Sequence, residues 1–267
     1  MTNTDTTSIN HSSSGLPQMK TILNHLFVEI DLEKTKILLL GLLFVGMGFM
    51  SVVTQVMLAD IIKWAGFELV SPPQSSLVGV LNDFWGDAVM IALILAIYGM
   101  STYSGELEVG KPIYFNLARP ISRETYFLTR FAVRAIGVMG MYILASLITY
   151  CYSLVFFDGF PIDRVIVATC LVAFGPTTVL ALVMMASSRL STVLSAIVGV
   201  IFVVVQFLVG MVPPLKWFSP LTLMNEWTNV LSGEISFLDL FLTYSTLTLW
   251  IIVPCIVGLV LYKQRDL

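Results

Sequence analysis

Six apolar blocks, each long enough to cross a bilayer, dominate this 267-residue chain, at roughly 37–58, 84–104, 135–156, 165–187, 193–212 and 240–262. A helix needs about 20 apolar residues to span hydrocarbon. Inside the bilayer every backbone polar group must be satisfied from within, so only helices and closed barrels qualify. Barrel strands alternate apolar and polar residues. These blocks do not alternate, and the expectation is an all-α integral membrane protein with six transmembrane helices.

Charge agrees. Only 12% of residues are charged against 57% hydrophobic, where a soluble domain carries about 25% charged. The net charge of −3 gives a nucleic-acid partner no support. Cys151, Cys170 and Cys255 all fall inside apolar blocks and read as small buried hydrophobes. His11 and His25 lie near the N-terminus, and no Cys/His spacing resembles a metal site.

Residues 1–15 are rich in Thr, Ser and Asn and read as a disordered tail. Residues 16–36 place Ile22, Leu23, Leu26, Phe27 and Ile30 at helical spacing, with polar residues around the other side. This suits an amphipathic interfacial helix ahead of the first span. Residues 37–267 then form one six-span domain. The stretch 213–239, with Trp217 and Trp227, is too apolar for a free loop. Short helices dipping into the outer leaflet are expected there, with Trp at headgroup level.

Lys and Arg set the orientation. Of 14 such residues, Lys63, Arg164 and Lys216 fall on one side of the six-span plan and the other 11 on the opposite side. Both termini are therefore expected in the cytoplasm, in a cell (plasma or inner) membrane.

The charged loop between the second and third spans, 105–125, carries the chemistry. Gly105-x-x-x-x-Gly110-Lys111 nearly matches a phosphate-binding loop, but Pro112 stands where magnesium needs a hydroxyl. Glu106 and Glu108 would repel phosphate, and a membrane span precedes the loop where a strand is required. Nucleotide binding is not expected. The same residues suit a docking element instead. Gly110 breaks one helix, and Pro112 can start a short one bearing Ile113, Phe115 and Leu117. Pro120 ends it, and Ser122 can cap the helix of the third span. An ordinary cytoplasmic turn with positive-inside charges accounts for the composition as well.

Glu106-x-x-x-Gly110, then Leu117-Ala118-Arg119-Pro120-Ile121-Ser122-Arg123, then Arg130, resembles the second-to-third span loop of type-2 ABC transporter permeases. That loop reads Glu-x-x-x-Gly, then Leu-x-x-Pro-x-Ser-Arg, then a basic residue. Arg130 stands where Lys is common, which preserves the charge. The ending Tyr262-Lys263-Gln264-Arg265-Asp266-Leu267 is similar to the family's aromatic, basic, Asp-Leu terminus. The resemblance implies the permease subunit of an ABC exporter. Two permease chains, identical or homologous, would pair in the lipid membrane. Separate cytoplasmic ATPase subunits, carrying ATP and Mg, would grip the loop. It also implies no catalytic residue, cofactor or metal site in this chain, and a coupling role for Glu106, Gly110, Pro120, Ser122, Arg123 and Arg130.

Other polar and small residues permit two readings each. Asp87 is expected as an interfacial acid in the first turn of the second span, and Gln55 and Gln206 as hydrogen-bonding groups between helices. Gly175-Pro176 and Pro254 are expected to kink their spans. Ser191, Ser195 and Gly199 form a small-residue stripe that suits either a seam between permease chains or packing within one. Three rival functions remain. An ion-coupled carrier wants charge near the midplane, a scaffold would dock an ATPase without transport, and a hydrolase lacks paired catalytic groups.

Overall fold

The computed structural model describes residues 15–64, 76–108 and 123–264. Among them no strand occurs, and six helices are long and apolar enough to cross a membrane. The long helices are α1 (Gly15–Trp64), α2 (Leu77–Glu108), α3 (Arg123–Ser153), α4 (Ile162–Ser187), α5 (Thr192–Gly210) and α8 (Phe237–Lys263). Between α5 and α8 lie a 3-10 turn (Pro213–Phe218), the short helices α6 (Pro220–Leu223) and α7 (Trp227–Ser232), and a 3-10 turn joining them.

The first helix differs from the sequence expectation. The amphipathic segment and the first span join into one helix of 50 residues, about 75 Å at 1.5 Å per residue. Its polar stretch is stitched along one side by Asp31–Lys34 at 2.6 Å and Glu33–Lys36 at 3.1 Å. No Gly or Pro separates the two segments, so no local signal breaks the helix.

α2 begins seven residues before its expected start, because Ser76 caps it. The Gly79 amide donates to Ser76 Oγ at 3.1 Å, satisfying a first-turn donor. Asp87 therefore stands ten residues beyond Leu77, about 15 Å along the helix. The expected first-turn placement of Asp87 does not hold. α2 and α3, with 32 and 31 residues, are about 48 and 46 Å long. Both exceed a hydrocarbon core of about 30 Å.

α4 is the hub. Its membrane window is 72% buried, against 17% for α5 and α8, so only α4 is enclosed by its neighbours. It packs on α2, α3, α5, α7 and α8, while α1 lies on α3 and α2. Both prolines sit inside unbroken helices, Pro176 in α4 and Pro254 in α8. Beside Pro176 the hydroxyls of Thr177 and Thr178 donate back to the Ala173 and Gly175 carbonyls at 3.0 and 2.7 Å. Neither is the Val172 carbonyl, four residues back, which Pro176 leaves without its helical N–H donor.

The core is aromatic. Tyr142 is fully buried between Phe44 and Phe84, at centroid distances of 5.7 and 6.1 Å. Trp85 donates from Nε1 to Ser146 Oγ at 3.1 Å and meets the edge of Trp227 at 4.7 Å. Trp227 is thus buried within the bundle. α7 carries it inward, and Arg164 holds that helix by donating to the Leu231 and Ser232 carbonyls at 3.3 and 3.1 Å.

The small-residue stripe resolves into packing within the chain for two of its members. Ser195 and Gly199 are buried on the inner side of α5. A Cβ at Gly199 would stand 2.6 Å from Val183 and 2.9 Å from Ile97, so α5 closes tightly on α4 and α2 there. Ser191 is the N-cap residue of α5, with no side-chain cap bond.

Candidate functional site

The helices alternate, so two ends of the bundle can be told apart by which residues meet. At one end Glu33 meets Arg134, Glu124 meets Lys263 and Arg189 meets Gln264. At the other, Gln55 meets Asp83 and Arg164 meets Ser232. The first is the end rich in Lys and Arg. It also receives the C-terminus of α2 and the N-terminus of α3, which flank the charged loop.

Of the loop residues, Gly110, Pro120 and Ser122 lie outside the described residues. Glu106 falls in the last turn of α2, and Arg123 is the first residue of α3. Their backbones are helical, and they bracket the loop as expected. Arg130 is buried, two turns into α3, with its guanidinium 5.3 Å from the centroid of the Tyr126 ring. That geometry suits a cation–π contact. It makes Arg130 part of the root of α3 rather than an open docking charge.

The root of α3 is clamped from below. Lys263 reaches Glu124 at 2.6 Å. One turn on, the fully buried Phe127 faces Tyr262 at a centroid distance of 5.5 Å. Gly258 lets α8 close on both neighbours: a Cβ there would lie 3.0 Å from Met185 Cα and 3.0 Å from Phe127. Gln264 then accepts from Arg189 at 3.2 Å, tying in the α4–α5 connection. The start of α3, the end of α4 and the end of α8 are therefore one packed unit. Of these residues Tyr262, Lys263 and Gln264 were legible beforehand, through the tail motif. Phe127, Gly258 and Met185 carry no signal in sequence beyond apolarity.

A second feature lies along α1 and α2. An open groove of about 760 Å³ runs beside α1 from Leu39 to Thr54, with Asp83 and Asp87 on its α2 wall. Asp83 Oδ2 accepts from Gln55 Nε2 at 2.6 Å, so Gln55 bridges α1 to α2 as expected of an interhelical amide. Asp87, one turn deeper, is exposed to the groove. The pairing of Asp83 with Asp87 at i, i+4 on one helix face is visible in sequence once the helix start is placed correctly. Gln206 is buried on α5, and its carbonyl accepts from Ser219 Oγ at 2.9 Å. Its side-chain Oε1 has no hydrogen-bond partner among the described residues.

No group of three metal-ligating side chains occurs among the described residues. No family model matches the chain, and no curated protein matches it.

Proposed function

We propose that this chain is the permease subunit of an ATP-driven transporter of the ABC exporter type. It would move a substrate across the cell membrane, with both termini in the cytoplasm and energy supplied by separate ATPase subunits. The observation that carries the reading is the Glu106-x-x-x-Gly110 … Leu117-x-x-Pro120-x-Ser122-Arg123 pattern, set between two helices of 32 and 31 residues, each longer than a hydrocarbon core is thick. Helices of that length act as levers, since force on their protruding ends tilts the buried portion as a rigid body.

The clamped root of α3 supports the same reading. A push at the loop reaches α3 first, and Lys263, Tyr262 and Gly258 pass it to α8 and α4. A second permease chain would complete the pathway, because the α1–α2 groove is open along one side.

The test is co-purification of the full chain with the ATPase co-expressed from its own gene neighbourhood. Wild type is expected to retain the ATPase, and Glu106→Ala and Arg123→Ala to lose it or uncouple its turnover. Full assembly and coupling in both variants would overturn the loop assignment.

A second reading, an ion-coupled secondary transporter, is favoured by one observation. Asp87 faces the groove almost three turns into α2, and ionisable residues at membrane depth are functional candidates by default. Transport that persists without ATP and collapses with an ionophore would select it.

A further inference from the structure

The groove beside α1 holds a charge that the packing of the bundle does not use. Asp87 lies ten residues beyond Leu77 in a membrane-crossing stretch of 22, Leu77–Tyr98, so it stands near mid-bilayer. It is exposed to the groove and has no hydrogen-bond or ion-pair partner among the described residues. Asp83, one turn away, lines the same groove, and its carboxylate already accepts from Gln55. Among the described residues no Lys, Arg or His lines the groove. Ionisable side chains are costly at that depth and face a cavity, a partner or a pathway.

The two walls together narrow the occupant. Opposite the acids, α1 presents the apolar Leu42, Met47 and Met50. At about 760 Å³ the groove falls within the range of about 300–1,000 Å³ that drug-sized ligands take. A hard divalent ion wants about 6–8 oxygen ligands. Among the described residues no third acid, His or Cys joins the two aspartates, and the apolar wall would give such an ion nothing. An acyl chain would cover that wall and leave Asp87 without a partner in hydrocarbon. A second copy docked through the same face would bring its own Asp83 and Asp87 toward these, since a two-fold contact pairs one patch with itself. Carboxylates repel most where the dielectric is low. An apolar body carrying one positive charge satisfies both walls.

We infer that this groove binds a lipophilic organic cation, its body against α1 and its charge at Asp87. As recognition of cargo this rests on the permease reading; the binding itself does not. Gly46 fits the assignment. It lines the groove, and a Cβ there would meet nothing within 4 Å, so the space beside it is open to a ligand.

The test is equilibrium dialysis of the full chain in an uncharged detergent, with empty micelles subtracted. The probes are tetraphenylphosphonium and tetraphenylborate, which share a shape and differ in the sign of their charge. The expected result is saturable binding of the cation and none of the anion. Asp87→Asn should weaken the cation by at least about fivefold, beyond what an exposed ion pair gives, because the groove shelters the charge from water. Gly46→Trp, which fills the groove and keeps both acids, should lower cation binding as well. Thermal unfolding of each variant checks that it folds. No ATPase takes part, so failure here leaves the loop assignment standing, and failure to capture an ATPase leaves this site standing. Absence of saturable cation binding, binding unchanged in either variant, or tetraphenylborate bound as tightly would overturn the assignment. Displacement of the cation by equimolar sodium would also overturn it, in favour of a bare ion. So would loss of binding as the chain is concentrated into dimers, which would give the groove to a second copy.

Discussion

Gly258 offers the sharpest test of how the basic end is built. The perturbation is Gly258→Leu, with Gly258→Ala as the milder step. An added Cβ would stand 3.0 Å from Met185 Cα and 3.0 Å from the Phe127 ring. Neither neighbour can yield easily. Met185 presents backbone, and Phe127 is fully buried against Tyr262. Overpacking of this kind costs about 1–3 kcal/mol. Alanine recovers up to about 1 kcal/mol of helix propensity relative to glycine, so Gly258→Ala should be nearly neutral or mildly destabilising. Leucine adds three more carbons to the same contact and should reach the upper end of that range. In a chain of this size 1 kcal/mol shifts the midpoint by about 2–4 °C. Gly258→Leu is therefore expected to lower Tm by about 6–12 °C, the upper end of that cost multiplied by the shift per kcal/mol. The assay is thermal unfolding in detergent followed by tryptophan fluorescence, since Trp85 and Trp227 touch in the core. Gly140→Leu is the control, because a Cβ at Gly140 meets nothing within 4 Å. Equal midpoints for the two leucine variants would refute the close crossing of α8 over α4 and α3.

Other outcomes follow from the same structure. Asp83→Leu leaves the Gln55 amide without its acceptor across α1 and α2 and should cost about 1–3 kcal/mol, whereas the double variant Gln55→Leu/Asp83→Leu should recover part of that loss. Thermal unfolding of Asp83→Leu, Gln55→Leu and the double variant checks this; additive losses would contradict it. Arg164→Met removes the donors that hold the Leu231 and Ser232 carbonyls. It should increase proteolytic cutting near Gly233 while leaving the fold otherwise intact. Cys151, expected from the sequence to be a small buried hydrophobe, is instead exposed near the end of α3 opposite the basic end. It should label more readily than Cys170 or Cys255, and a membrane-impermeant maleimide should reach it from outside intact cells. Labelling only after lysis would reverse the proposed orientation.

How far the sequence speaks depends on the scale asked of it. Span number and order were legible, since about 20 apolar residues in a row admit few folds. The ends were less so. Ser76 starts α2 seven residues early, and that shift moved Asp87 from a helix terminus to a position deep along the groove. Tertiary partners were the least legible. Nothing in the run around Trp227 says that it packs on Trp85. The small-residue stripe suited two kinds of close packing, and only the burial of Ser195 and the closeness of Val183 and Ile97 to Gly199 decide for those two. The loop motif is the reverse case. Its sequence is its strongest feature, and the structure contributes the two helices that bracket it and the clamp beneath α3.

The proposal that an ATPase grips the loop between α2 and α3 is tested most directly by site-specific photocrosslinking in cells. A photoreactive residue replaces Phe115 in the loop, with Phe156 at the opposite end of the bundle as the control position. The captured protein is identified by mass spectrometry. The account predicts a covalent adduct with a subunit bearing complete nucleotide-binding motifs at position 115 and none at 156. Capture of that subunit at neither position, with the chain still moving its cargo, would contradict it.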